Sequence, residues 1–111
     1  MDVAFLAEEL GLTVRCGGDR MHREVSGGYV GDLLSNVMAG SKSGDVWVTC
    51  QAHQNIVAVS VLKEHAAIIL TQGRQPDKDT IERASQEGIP LLITKLSAFE
   101  IAGRIYSLLD H

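Results

Sequence analysis

Residues 45–94, DVWVTCQAHQNIVAVSVLKEHAAIILTQGRQPDKDTIERASQEGIPLLIT, decide the fold because they repeat one order of strand, loop and helix. VWVT at 46–49 reads as a strand and Asn55–Lys63 as a helix. AAIILT at 66–71 is the next strand, roughly Pro76 to Glu87 the next helix, and LLIT at 91–94 the third strand. Gly88 closes the second helix and Ile89-Pro90 forbids its continuation. The strands are continuous apolar runs without polar alternation, which suits parallel strands covered on both faces. The pattern predicts an α/β fold with three layers, α/β/α, around a small and mostly parallel sheet.

Outward from this core the punctuation stays legible. Ser97 and Glu100 form an S-x-x-E capping box for a closing helix whose Ile101, Ile105 and Leu108 share a face. At the other end Asp2 can cap a helix over Val3–Leu10, which Gly11 stops. LTVR follows as a short strand, then the polar loop CGGDRMHRE, and VSGGYV is a strand interrupted by a glycine pair. Asp32 to Ala39 reads as a short helix and GSKSGD as a loop of turn formers. With no linker or low-complexity tract, residues 1–111 are expected to form a single domain.

Composition removes several function classes. The 111 residues are 45% hydrophobic and 22% charged, within the globular range and long enough to fold without disulfides or a structural metal. A net charge of −4 argues against a protein built to grip nucleic acid or an anionic membrane. No apolar run approaches the roughly 18 residues of a membrane span. The amphipathic, acidic start MDVAFLAEELG is unlike a secretory leader, so a cytoplasmic location is expected. Cys16 and Cys50 then read as reduced thiols.

Three strands end in threonine, at Thr49, Thr71 and Thr94. In an open parallel sheet such ends share one edge, where ligands of these folds usually bind. The loops there carry Gln51 and His53, then Gln72, Gly73 and Arg74, then Lys95 and Ser97. This makes Thr49, Gln51, His53, Thr71, Gln72, Gly73, Arg74 and Thr94 the candidate ligand wall. The Gln-Gly-Arg turn is a poor phosphate cradle by itself: Pro76 removes one helix-terminal donor, and Asp77 and Asp79 already meet the helix dipole with carboxylates.

Other chemical motifs are weaker. GSKS at 40–43 lacks the order and upstream glycine of a P-loop and follows a helix, and the glycines at 27, 28 and 31 miss the dinucleotide spacing. Cys50-x-x-His53 has a spacing that suits a metal ion or a thiol–imidazole pair, but a metal would need Cys16 or His22 from a distant loop, and a nucleophile would need an oxyanion hole. The simpler reading makes Cys50 a small buried residue and His53 a loop or helix-start residue. His65 and His111 are expected at solvated helix ends. No catalytic residue, metal or cofactor is assigned.

The stretches VWVTCQAHQNIVAVSVLKEHAAIILTQGRQPDKDTIERASQEGIPLLITKLSAFEIAGRIYSLL and REVSGGYVGDLLSNVMAG together resemble the DRTGG domain family. The carrying features are the ordered strand, Thr-x-Gly turn and helix, then GIPLLIT, then SAFEIAGRI. Family relatives include the N-terminal domain of HPr kinase/phosphorylase, the N-terminal region of some phosphate acetyltransferases and the regulatory insert of certain pyrophosphatases with CBS domains. Where the family shows Asp-Arg after the VT strand, this sequence has Ala52-His53; where it shows Thr-Gly-Gly, this one has Thr71-Gln72-Gly73.

The resemblance implies an α/β domain without catalysis of its own, acting in regulation, ligand sensing or assembly, and a homodimer or higher oligomer. Two functions are therefore expected to compete: a homodimeric regulatory domain binding a small metabolite or nucleotide at the strand ends, and a docking module for a protein partner, with its interface around Tyr29, Val30 and Leu33. A third reading, a small hydrolase or transferase, would use Cys50 and His53.

Overall fold

The structure, a computed structural model, describes residues 1–109. Along the chain run α1 (Val3–Leu10), β1 (Thr13–Cys16), a 3-10 turn at Gly18–Arg20, β2 (Gly27–Val30), α2 (Leu34–Gly40), β3 (Asp45–Thr49), α3 (Asn55–Lys63), β4 (Ala67–Leu70), α4 (Lys78–Glu87), β5 (Leu91–Ile93) and α5 (Ala98–Leu108). The strands form one sheet in the order β1-β5-β4-β3-β2. β2 to β5 are parallel, and β1 closes the far edge antiparallel to β5.

Alternation within the apolar strands splits the core into two slabs. Val46, Val48, Ala67, Ile69 and Leu92 face α1 and α5, meeting Val3, Leu6, Ile101 and Ile105. Trp47, Ile68, Leu70, Leu91 and Ile93 face the other way, meeting Val37 of α2, Ile56 and Val57 of α3 and Ala84 of α4. Both faces of β3, β4 and β5 are buried throughout, which is why their sequences show no polar alternation. The expected three-layer α/β/α architecture with a mostly parallel sheet is what the chain adopts.

Local signals set the helix limits. The Phe5 N–H donates to Asp2 Oδ1 at 2.8 Å, and Gly11 ends α1 in the left-handed region at φ 64°. The Glu100 N–H donates to Ser97 Oγ at 3.3 Å, and Gly88 ends α4 at φ 70°. Two boundaries differ from the sequence expectation. α4 begins at Lys78, two residues after Pro76, because the Asp77 N–H is held by Ala52 O at 3.1 Å and anchors the approach. α2 begins at Leu34, not Asp32, because the Asp32 carboxylate bonds to the end of β3.

His65 is a correction. It was expected at a solvated helix end, yet it is fully buried. Glu64 ends α3 in the left-handed region at φ 55°, which turns the next residue inward toward β4. There Ser60 Oγ lies 2.9 Å from Nδ1 and Ser41 Oγ 2.8 Å from Nε2. Ser41 spends its own proton on Val37 O at 2.6 Å, so it accepts from Nε2–H and leaves Nδ1 to accept from Ser60. Burial costs little when both ring nitrogens are satisfied this way. Burial, chiefly, lowers the His65 pKa to about 4, with smaller help from Lys63 and Arg23 and opposition from Asp45. His111 lies outside the described residues.

Candidate functional site

Parallel strands deliver their carboxyl ends to one rim. Thr49, Thr71 and Thr94 stand there as expected, and all three are buried. They act as the rim's foundation: Thr49 Oγ1 donates to Asp32 Oδ1 at 2.7 Å and accepts the Gln51 N–H at 3.2 Å, while Thr94 Oγ1 accepts the Leu96 N–H at 3.2 Å. Gln51, His53, Gln72 and Arg74 are exposed above them, with Gly73 half-buried. His53 Nδ1 accepts the Asn55 N–H at 3.1 Å, a local bond at the start of α3.

The β4–α4 turn is tightly sewn down. Gln72 and Gly73 both have positive φ, 57° and 68°, and the Arg74 N–H returns to Thr71 O at 3.0 Å, the pattern of a type I′ turn. Glycine suits the second of these positions, while Gln72 adopts a conformation uncommon for a residue with a Cβ. The Gln72 N–H donates to Leu96 O at 2.9 Å and the Gly73 N–H to Thr94 O at 2.8 Å. The amides of residues 72, 73, 74 and 77 are all engaged by carbonyls, and Arg74 is the charged side chain of the turn.

Asp32 is the rim residue that sequence reasoning missed. Besides Thr49 it accepts the Cys50 N–H at 2.9 Å, and its backbone carbonyl accepts Gln51 Nε2 at 3.2 Å. Those bonds, the Cys50 amide first and the Thr49 hydroxyl second, hold its carboxyl below the ordinary value. The signal was present: Asp32 follows β2 closely, just as Cys50 follows β3, so both belong to one edge.

Cys50 is exposed, contrary to the expectation of a small buried residue. The chain leaves β3 here and turns outward, and both its backbone N–H, at 2.9 Å, and its thiol meet the Asp32 carboxylate. What burial its thiol has, followed by the Asp32 carboxylate beside it, raises its pKa, while Arg74 opposes weakly. A thiol held protonated is a poor nucleophile, and His53 is engaged with Asn55. Cys16 sits on β1, with its thiol 3.7 Å from Ile89 O. Among the described residues no three His, Cys, Asp or Glu side chains group as metal ligands would.

Beside the Thr94 end of the rim lies a cleft of about 490 Å³. Leu10, Gly11 and Thr13, where α1 turns into β1, form one wall, and Gly73, Gln75, Ile93 to Leu96 and Arg104 form the other. On the far side, under β2 and α5, a smaller apolar cavity of about 130 Å³ lies among Tyr29, Val30, Ala102 and Ile105. Val30 and Leu33 are exposed there as expected, whereas Tyr29 is half-buried against the Trp47 slab.

The fold and rim define a three-layer α/β/α domain whose parallel strands end in a polar crown. The chain belongs to the DRTGG family, whose DRTGG domain model matches residues 5–108. Its fold is similar to that in the crystal structure of the CBS and DRTGG domains of the regulatory region of Clostridium perfringens pyrophosphatase, complexed with the activator diadenosine tetraphosphate. The TM-score is 0.77 at 19% identity, covering 98% of this chain and 47% of that one. This chain thus spans less than half the length of that structure. A comparison with curated proteins found no match. Ala52 is buried, and its carbonyl anchors α4 by accepting Thr80 Oγ1 at 2.6 Å and the Asp77 N–H at 3.1 Å. Among the described residues no helix is long and apolar enough to cross a membrane.

Proposed function

We propose that residues 1–111 form one non-catalytic regulatory DRTGG domain, cytoplasmic and homodimeric, that senses a small metabolite or nucleotide at the strand ends. The observation that carries the reading is the rim itself: Gln51, His53, Gln72 and Arg74 are exposed together on buried threonine strand ends. Side chains of that kind give a ligand hydrogen-bond partners and one cation on a rigid base. The similarity of fold to a regulatory region that binds a nucleotide activator supports the same role here. The raised Cys50 pKa speaks against nucleophilic catalysis at the rim. A homodimer fits the outer edge of β2, which has no neighbouring strand in the sheet of the described residues.

A thermal-shift screen against nucleotides, sugar phosphates and divalent metals tests the reading, with Arg74→Ala as control. A ligand at a hundred times its Kd adds about 2.7 kcal/mol to folding stability. A stabilising hit is expected, and Arg74→Ala should lose it. Silence across the panel, with a stable dimer in solution, would favour the second reading, a docking module. That reading draws on the exposed apolar residues Val30, Leu33 and Phe99, the last 89% exposed, near the β2 edge.

A further inference from the structure

We infer that the cleft beside the Thr94 end of the rim binds the phosphate-bearing part of a small organic ligand, held by Lys95 and Arg104 with Arg15 behind them. This rests on the strand-end reading above and gives that ligand its chemical class. Three observations converge on it.

The first is charge. Among the described residues, Lys95 and Arg104 are the only charged ones lining the cleft. They stand there in a chain of net charge −4, with 14 acidic against 10 basic residues. Neither has an ion-pair partner among the described residues, where the single salt bridge joins the Met1 amino group to Glu24. Glu8 and Glu9 on α1 are exposed and outside the lining.

The second is a backbone irregularity that adds a third cation. In the β1–β5 ladder Thr13 faces Ile93, Val14 faces Leu92 and Cys16 faces Leu91, so Arg15 is the extra residue of a bulge. Bulges re-aim a side chain. Here Arg15 Nη1 donates to Oε1 of Gln75, a residue of the cleft wall.

The third is shape. A volume of about 490 Å³ is within the range of small-molecule sites. Leu10, Ile93 and Leu96 give the cleft an apolar side for the organic part of a ligand. Of the carbonyls at the end of α1, which would repel an anion, those of Glu8 and Ala7 are capped by the Gly11 and Leu12 amides. Arginine forks match phosphate oxygens two at a time, and several cations exceed what one carboxylate would balance.

The test is calorimetric titration of the full chain with ATP, pyrophosphate, citrate and adenosine, using wild type, the double variant K95Q/R104Q and Arg74→Ala. Lys95 and Arg104 are exposed, and circular dichroism checks that the double variant is folded. ATP is expected to bind wild type, to bind more weakly as salt rises, and to bind K95Q/R104Q about a hundredfold more weakly, near tenfold for each cation lost.

Unchanged affinity in K95Q/R104Q overturns the cleft assignment. If Arg74→Ala abolishes that same binding, the strand-end reading survives without the cleft; if neither variant matters, both fall. Adenosine binding as well as ATP, citrate binding in place of every phosphate, or no binding by any phosphorylated probe each overturns the ligand class. The strand-end reading is then decided by its own panel.

Discussion

Trp47→Ala is expected to cost about 3–5 kcal/mol, the usual range for deleting a large buried aromatic. A domain of this size has in all only about 5–15 kcal/mol of folding stability. Trp47 is fully buried at the centre of the slab formed by α2, α3 and α4. Its Nε1–H donates to Gly31 O at 2.8 Å, tying the end of β2 to β3, and its ring stands 5.6 Å from that of His65. The loss therefore combines a cavity with an orphaned carbonyl. Trp47→Phe keeps most of the volume and should cost far less, mainly the net worth of the hydrogen bond, about 1 kcal/mol. Urea denaturation followed by circular dichroism separates the two variants. Equal losses would mean that the slab does not pack around this ring.

Acidification from pH 7 to pH 5 is expected to remove about 2 kcal/mol through His65 alone. The sign follows from the two pKa values, about 4 when folded and 6.5 ordinarily. Between them the unfolded chain binds the proton that the folded chain refuses, so stability rises with pH across this window. The contribution is complete above about pH 6.5, falls steadily toward pH 4, and changes no further below it. His65→Gln should be less stable than wild type at pH 7, yet show a flatter stability profile from pH 7 to pH 5. Denaturant midpoints at half-unit pH steps measure both slopes. An unchanged slope in the variant would show that another group titrates.

The sequence made the backbone easier to read than the side-chain contacts, for physical reasons visible at particular residues. Asp2, Gly11, Gly88 and Ser97 mark helix ends through bonds only three or four residues long, so local pattern suffices. The apolar runs at β3, β4 and β5 likewise record burial on both faces. His65 was misread because one of its two partners, Ser41, lies 24 positions away and becomes a partner only after the sheet forms. Asp32 was missed because, ahead of an apolar run, it reads as the first residue of the short helix over Asp32 to Ala39. The competing acceptor role, toward the Thr49 hydroxyl and the Cys50 amide, depends on strand pairing. The positions of the rim threonines were legible, but their burial was not. Arg15 meets Gln75 of the cleft wall from a bulge that no local composition signals.

Ligand binding at the carboxyl rim is most directly tested by a two-dimensional amide NMR titration of the full chain with ATP. The expected result is saturable shifts grouped at Gln51, His53, Gln72, Gly73, Arg74, Lys95 and Arg104, with β2 and the Phe99 end of α5 unchanged. Saturable shifts confined to Val30, Leu33 and Phe99, or an unchanged spectrum while a dimer persists, would contradict it and assign the domain to protein docking.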